Sequence, residues 1–369
     1  MEMPGRKGLK WEAVVRALRE RIQAGAYRDG SLLPAERSLA TEFGVSRPTL
    51  RKALQWLVKS GMLVNVPGVG TRVCLAPDRV AAVGGGWRVI ALALPDIGNR
   101  FFIEVAEAVE YASLHRGYLL LLSNFRHNPA IEEWQLREFA RRKVDGVILA
   151  HDATQPFPRG LELLRKQGIP FLMLFSSSFD SAFDSVVLDE RAGVEQVLRY
   201  LWSLGHRRIA FCQPLSGPQQ HPRETAFRAL MQEAGLPVPE HFLLPLEKIS
   251  DNSGADVLKT LLEGEPRPTA IFAGNDRIAL LVLKHLAALG LRVPEDVSLV
   301  GFDNLRFTEH LSPPLTTVDQ PKAEMGRRAV EILLERIELG LGGEARREVF
   351  QPHLIVRESC RVAAGAGGA

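Results

Sequence analysis

Arg47, Arg51 and Gln55 stand four residues apart, so on a helix they share one face. Leu50, Ala53, Leu54 and Leu57 recur at helical spacing on another face and make the stripe that turns inward. An outward row of guanidiniums can take guanine O6 and N7 or the phosphate oxygens of a duplex. The residues upstream position that row. Pro34 opens a helix, since its missing N–H would be unsatisfied in a first turn anyway. Leu39, Ala40 and Phe43 form the inner stripe of that helix, Gly44 ends it, and Ser46 caps the next. Two short helices about a glycine turn, with a basic outer face on the second, fit a major-groove reader. Residues 62–66 and 71–75 then read as two strands. The loop 67–70 between them carries two glycines, which let backbone approach a phosphate or the minor groove.

The charge balance points the same way. Residues 1–80 carry 14 Lys/Arg against 7 Asp/Glu, whereas the other 289 carry 32 against 36. A basic head on a mildly acidic body implies a polyanionic partner for the head alone. The chain of 369 residues is 46% hydrophobic and 24% charged, which excludes a disordered chain, a collagen-like fibre and a disulfide-stapled mini-protein. No apolar run approaches the ~20 residues needed to cross a bilayer. The N-terminus MEMPGRKGLKWEAVV has no apolar core of a secretory signal, so a cytoplasmic protein is expected. Cys74, Cys212 and Cys360 are far apart and odd in number, as free thiols in a reducing compartment are.

Residues 77–87 (PDRVAAVGGGW) read as a glycine-rich linker, and 363–369 as a disordered tail. Between them, over 88–362, apolar runs of 4–7 residues at 88–94, 118–122, 146–150, 170–174, 185–188, 208–213, 269–273 and 297–302 look like buried parallel strands. Helical patterns at 102–114, 131–140, 192–204, 224–234 and 278–289 separate them, and Gly117, Gly168, Gly205 and Gly290 mark helix ends. This alternation predicts a doubly wound α/β body, too long for one sheet and so divided into two lobes. Ligands of such sheets bind beyond the C-terminal ends of the strands.

Two resemblances follow. Residues 1–76 are similar to the GntR-type winged helix-turn-helix, through LPAER (33–37), LA (39–40), FGVSR (43–47), TLRKAL (49–54), Gly61 and GVGT (68–71). The resemblance implies DNA contacts from Arg37, Ser46, Arg47, Thr49, Arg51 and Gly68. Pro48 stands where a hydroxyl residue is commoner, which removes one possible contact. The competing reading of Arg37 is an ion pair with Glu36 or Glu42. Residues 88–362 resemble the LacI/GalR-type effector domain, a two-lobed periplasmic-binding-protein-like fold. That match rests on ALPDIGNRFFIEVAEAVE (93–110), RRKVDGVIL (141–149), VVLDERAG (186–193), LGHRRIAF (204–211), NDRIAL (275–280), VPEDVSLVGFDN (293–304) and PPLTTVDQP (313–321). It implies crossovers between lobes near Ser176, Asn304 and Gly340. It implies ligand contacts from Asp96, Asn99, Phe101, Phe102, Asp152, Arg223, Asn275, Asp276 and Asp303. Asp276 is equally a helix cap, one of Phe101 and Phe102 is expected in the core, Asp189 begins its helix, and His206 is structural. No hinge helix of the LacI kind is recognisable, so the chain resembles the hybrid class typified by arabinose repressors.

The function expected is a transcriptional regulator, a repressor by preference. It is expected to bind a palindromic operator in double-stranded DNA as a homodimer, with a small effector, a monosaccharide, between the lobes. Neither a cofactor nor a metal nor a membrane is expected. The alternatives are a purine- or sugar-phosphate-responsive regulator, an activator, and a solute-binding protein of a transporter. No GxxxxGK[ST], GxSxG or HExxH is present, and Gly84–Gly86 precedes a strand rather than following one, so no enzyme motif is found.

Overall fold

The computed structural model describes residues 10–23, 26–27, 30–59, 62–66, 70–73, 88–151, 154–175, 183–212, 220–250, 254–340 and 344–363. Gly68, Asp152, Cys74, Ser176, the linker read at 77–87 and the tail from residue 364 lie outside them. The chain divides into two compact units, one of Met1–Trp87 with Leu114–Tyr118 and one of Arg88–Ser113 with Leu119–Ala369.

The N-terminal unit contains α1 (Lys10–Gln23), α2 (Glu36–Glu42), α3 (Arg47–Lys59) and the antiparallel strands β1 (Leu63–Val66) and β2 (Gly70–Val73). Leu18, Ile22, Leu39, Leu50, Ala53, Leu54 and Leu57 are buried together with Leu63 and Val73. The inward stripe of α3 is therefore the face that closes this core. Gly44 turns the chain between α2 and α3 at φ +60°, a conformation glycine adopts without steric cost. Two features differ from expectation. Helix α2 begins at Glu36, not Pro34, because Ala35 is extended at φ −52°, ψ 144° and the Glu36 carboxylate occupies the electropositive first turn instead. A segment at Ser31–Leu33 also pairs with β2, through Leu33 N–H to Thr71 O at 2.8 Å and Val73 N–H to Ser31 O at 2.9 Å.

The body is the two-lobed periplasmic-binding-protein-like α/β fold. Its first lobe runs β3 (Val89–Leu94), α4 (Arg100–Leu114), β4 (Leu119–Asn124), α5 (Pro129–Arg142), β5 (Gly146–Leu149), α6 (Gly160–Lys166), β6 (Phe171–Leu174) and β7 (Ser185–Leu188). The second runs α7 (Glu190–Ser203), β8 (Ile209–Cys212), α8 (Pro222–Glu233), β9 (Leu243–Leu244), α9 (Leu246–Ser250), α10 (Gly254–Glu263), β10 (Ala270–Ala273), α11 (Asp276–Ala288), β11 (Ser298–Val300) and β12 (Thr317–Asp319). Then α12 (Lys322–Leu339) and β13 (Arg347–Phe350) return to the first lobe, and β14 (His353–Ile355) rejoins the second. The first sheet has the order β13-β7-β6-β5-β3-β4 and is wholly parallel. The second has the parallel order β11-β10-β8-β9. All residues of β5, β8 and β10 are buried, as strands covered by helices on both faces must be. Gly117, Gly168, Gly205 and Gly290 end their helices at φ of +77°, +71°, +84° and +71°.

The crossovers are not where the resemblance put them. Strands β6 and β7, which flank Ser176, share one sheet. Gly340 joins α12 to β13 within the first lobe, and Asn304 stays in the second. The chain passes between lobes at 188–190, 319–322 and 350–353. There β12 and β14 pair antiparallel, and Asp303 bridges Asp319 beside them. The positions fall where a strand of one sheet ends and a helix or strand of the other begins, a tertiary choice that periodicity does not encode. The expected tail is also shorter than read: Ala363 is buried, and its N–H donates to Leu204 O at 2.8 Å.

Candidate functional site

The strand ends of the two lobes face each other across a cavity of about 350 Å³. From the first lobe come Pro95, Asp96, Asn99, Phe101, Phe102, His127, Ala150, His151 and Phe175. From the second come Glu190, His221, Pro222, Arg223, Leu246, Asn275, Arg277, Ile278, Leu281 and Asp303, with Gln320 at the crossing. Of the nine expected ligand residues, seven line this cavity. Asp152 is outside the described residues, and Asp276 is not in the lining.

The loop after β3 is held by its own side chains. Asp96 Oδ1 accepts from Gly98 N–H at 2.8 Å, and Asn99 Oδ1 accepts from Phe101 N–H at 3.1 Å. Such turns present the first residues of α4 to the cleft. Phe101 and Phe102 both line it, edge to face at 5.2 Å, and Phe175 lies 5.0 Å from Phe101. The expectation that one of the pair is core holds for Phe101, which is buried, yet Phe101 and the half-buried Phe102 both border the cavity, because the first turn of α4 sits at its edge.

In the second lobe Arg223 occupies the first turn of α8, whose N-cap is His221. Its Nε and Nη2 donate to Glu190 Oε2 and Oε1 at 2.7 and 3.2 Å, and its Nη1 donates to Gly274 O at 2.7 Å. The guanidinium carbon stacks 3.7 Å above the centre of the Phe302 ring, and Asp303 Oδ1 is 3.6 Å from Nη1. Burial is the largest influence on Arg223 and works against its charge. Glu190 and Asp303 outweigh it, so the pKa stays above that of an ordinary arginine.

Asp303 ends the segment after β11 at φ +116°, where a non-glycine residue is strained. Its carboxylate accepts from Gln320 Nε2 at 2.6 Å. Burial pushes its pKa up, and Arg223 and Lys322 hold it partly down. Asn275 caps α11, its Oδ1 accepting from Ile278 N–H at 2.9 Å. Asp276, read as ligand or cap, lies outside the cavity lining, and Asn275 makes the cap in its place. Asp276 is fully buried, accepting from Thr317 Oγ1 at 2.6 Å and Leu305 N–H at 2.8 Å, and so ties α11 to β12. Burial and the nearby Asp303 push its carboxyl up as well.

Asp189 caps α7 through Ala192 N–H at 2.9 Å. His206 is buried between Thr269 Oγ1 and Arg361 O, at 2.8 and 2.9 Å. The polar and aromatic cavity residues missed from sequence are His127, His151, Phe175, Glu190, His221, Arg277 and Gln320. Glu190, Arg277 and Gln320 sit inside quoted motifs, LDERAG, NDRIAL and VDQP. The buried pair His151 Nδ1 to Glu132 Oε1, at 2.6 Å, carries no local sequence signal. Across the cleft Arg277 Nη1 reaches Asp96 Oδ2 at 2.7 Å.

On the N-terminal unit Arg37, Ser46, Arg47 and Arg51 are exposed and Thr49 is half-buried. Ser46 Oγ and Thr49 Oγ1 are 2.8 Å apart. Glu36 and Glu42 take partners other than Arg37: Arg51 Nε donates to Glu36 at 2.9 Å, and Arg21 pairs with Glu42. Among the described residues no ion pair holds Arg37 or Arg47.

The comparisons agree with this architecture. The model of "Bacterial regulatory proteins, gntR family" matches residues 10–73, and that of the periplasmic binding protein-like domain matches 198–360. The arabinose metabolism transcriptional repressor of Geobacillus stearothermophilus is 30% identical over 346 residues, 92% of this chain and 94% of that protein. The ribose operon repressor of Escherichia coli K12 is 32% identical over 240 residues, 65% of this chain and 72% of that one. A solved LacI family transcriptional regulator from Enterococcus faecium, with bound ribose, is 29% identical with a TM-score of 0.64, covering 74% of this chain and 99% of its own. Among the described residues no helix is long and apolar enough to cross a membrane.

Proposed function

This chain belongs to the transcriptional regulators that join a GntR-family DNA-binding head to a periplasmic-binding-protein-like body, and from that premise we propose that it is a repressor released or engaged by a neutral monosaccharide, an aldopentose by preference. The observation that carries the reading is the charge accounting of the cleft. Both lining arginines are already matched, Arg223 by Glu190 and Arg277 by Asp96, and Asp303 adds a further carboxylate. A phosphate ester entering this site would meet the carboxylates of Glu190, Asp96 and Asp303 beside arginines already paired to them, with His127, His151 and His221 as the other ionisable groups of the lining, and the repulsion is costly where water is excluded. A sugar needs what is present: acceptors and donors for vicinal hydroxyls from Asp303, Asn275, Gln320 and Arg223, and aromatic faces from Phe101, Phe102 and Phe175 for the C–H side of a ring. The relatives named for arabinose and ribose, and the ribose-bound structure, support a pentose.

The head reads DNA through Arg47 and Arg51 on α3, with Arg37, Ser46 and Thr49, and Gly68 joins them on the strength of the GntR resemblance. A homodimer sets two heads against a palindrome, whose half-sites lie a helical turn or a multiple of it apart. The effector acts by preferring one arrangement of the lobes. The test is a thermal-shift and operator-binding screen with D-ribose, L-arabinose, D-xylose, D-glucose, their phosphates and purine bases. A neutral monosaccharide is expected to raise the melting temperature and change operator affinity, and Asp303→Ala is expected to abolish both while leaving operator binding intact. A response confined to phosphates or purines refutes the proposal.

A further inference from the structure

Lys322, the first residue of α12, is buried at the crossing from the second lobe to the first. A buried ammonium is costly unless its donors are met. Its Nζ donates to the main-chain carbonyl of Asp303 at 2.5 Å. It lies 3.6 Å from Glu104 Oε2 on α4 and 5.9 Å from the centre of the Phe101 ring. The other oxygen of Glu104 is buried and has no hydrogen-bond partner among the described residues, which leaves Lys322 as its only described ion-pair partner.

Asp303 needs what Lys322 supplies. Its φ of +116° is one that L-residues rarely adopt, so the backbone holds only where its surroundings fix it. On one side the Asp303 N–H donates to Val318 O at 2.8 Å. On the other its carbonyl accepts from Lys322. The two anchors fix the peptide groups flanking its Cα, and with them the direction in which its carboxylate enters the cleft.

We propose that Lys322 is a positioning residue for the effector site, fixing the Asp303 main chain, and so its ligand-facing carboxylate, from the opposite lobe. The inference rests on the reading of the cleft as a sugar site. The charged groups around Asp303 are Arg223 on α8, Glu190 on α7, Asp276 on α11 and Lys322 on α12. Two of these four are cations, so removing Lys322 withdraws both a hydrogen-bond donor and half of the positive charge. The Asp303 carboxyl, already high through burial, then rises further towards neutrality.

The experiment uses the full chain, with D-ribose and L-arabinose titrated calorimetrically from mildly acidic to mildly alkaline pH. Alongside, carbon-13 NMR follows the aspartate carboxyls of the sugar-free protein, with Asp303→Asn identifying the Asp303 signal. Lys322→Met is expected to weaken sugar binding by about tenfold at neutral pH and to move the Asp303 titration upward by about one unit. The acid limb of the binding profile moves with it. Lys322→Gln, which keeps an N–H donor without charge, is expected to recover part of the affinity while keeping the displaced titration; it carries the test if the methionine variant does not fold. Binding within twofold of wild type overturns the inference, as does a uniform loss at every pH with an unmoved Asp303 signal. If wild type binds neither sugar, the reading of the cleft fails, and the sugar-free titration still decides the role of Lys322.

Discussion

Replacing Arg223 by Met keeps a stem over Phe302 and deletes the guanidinium, leaving three hydrogen bonds unmade. Glu190, 12% exposed at its side chain, and Asp303, 6% exposed, lose the cation between them. Removing one partner of a buried pair costs about 3–5 kcal/mol, and the orphaned Gly274 carbonyl adds about 1–3 kcal/mol. Against this, the guanidinium no longer has to be desolvated, and the first turn of α7 still favours the Glu190 charge by about 0.5 kcal/mol. A net loss of about 3–5 kcal/mol near neutral pH follows. Its pH dependence has a definite sign. A carboxyl whose folded pKa is raised binds more protons folded than unfolded between its ordinary value and the raised one, so stability falls as pH rises through that window. Asp303 is such a group in the wild type. Without Arg223 its window extends upward, each further unit costing about 1.4 kcal/mol above it. The gap between variant and wild type is therefore widest at and above neutrality and narrows on acidification. Urea unfolding of the body, followed by near-ultraviolet circular dichroism at several pH values, measures it. A gap below about 1 kcal/mol at neutral pH, or one that fails to shrink in acid, refutes the reasoning.

Arg51→Ala should weaken binding to the operator by about 1–3 kcal/mol, while Glu36→Gln should strengthen it, because an exposed pair of about 0–1 kcal/mol no longer competes for the guanidinium. Fluorescence anisotropy over a salt series reads both, and an unchanged affinity in Arg51→Ala removes that residue from the interface. Arg277→Ala should lower monosaccharide affinity by up to about fivefold, since the ion pair spanning the cleft is about half exposed and of surface strength. Calorimetry at low and high salt checks it; a loss that persists unscreened at high salt counts against an electrostatic contact.

Much of this was legible in the sequence, and the limits have physical reasons. The strands and helices carrying Asn99, Phe101, Phe102, Arg223, Asn275 and Asp303 announce themselves as short apolar runs followed by amphipathic ones. The position past a strand end then directs their side chains to a cleft. The short strands β12 and β14 do not announce themselves, since three residues give no periodicity, and with them the crossovers were misplaced. Asp276 shows the same limit at a single residue. Its type and location at a strand end suit a ligand contact or a cap, but Asn275, one residue earlier, makes the cap. The next carboxylate is then rotated inward on to Thr317, forty-one residues away. Glu190 carries no local signal of its role, since its partner Arg223 lies thirty-three residues on. Contacts of such separation are set by packing, not by spacing.

The three passages of chain between the lobes run side by side, two of them paired strand to strand. Parallel tethers of that kind act like the pins of one door: they resist sliding and separation and leave swing about a common axis as the soft motion. A ligand bridging the halves thus has a single coordinate to bias, and little freedom to extinguish in doing so. Such a joint suits a device whose message is one angle, read at its far end.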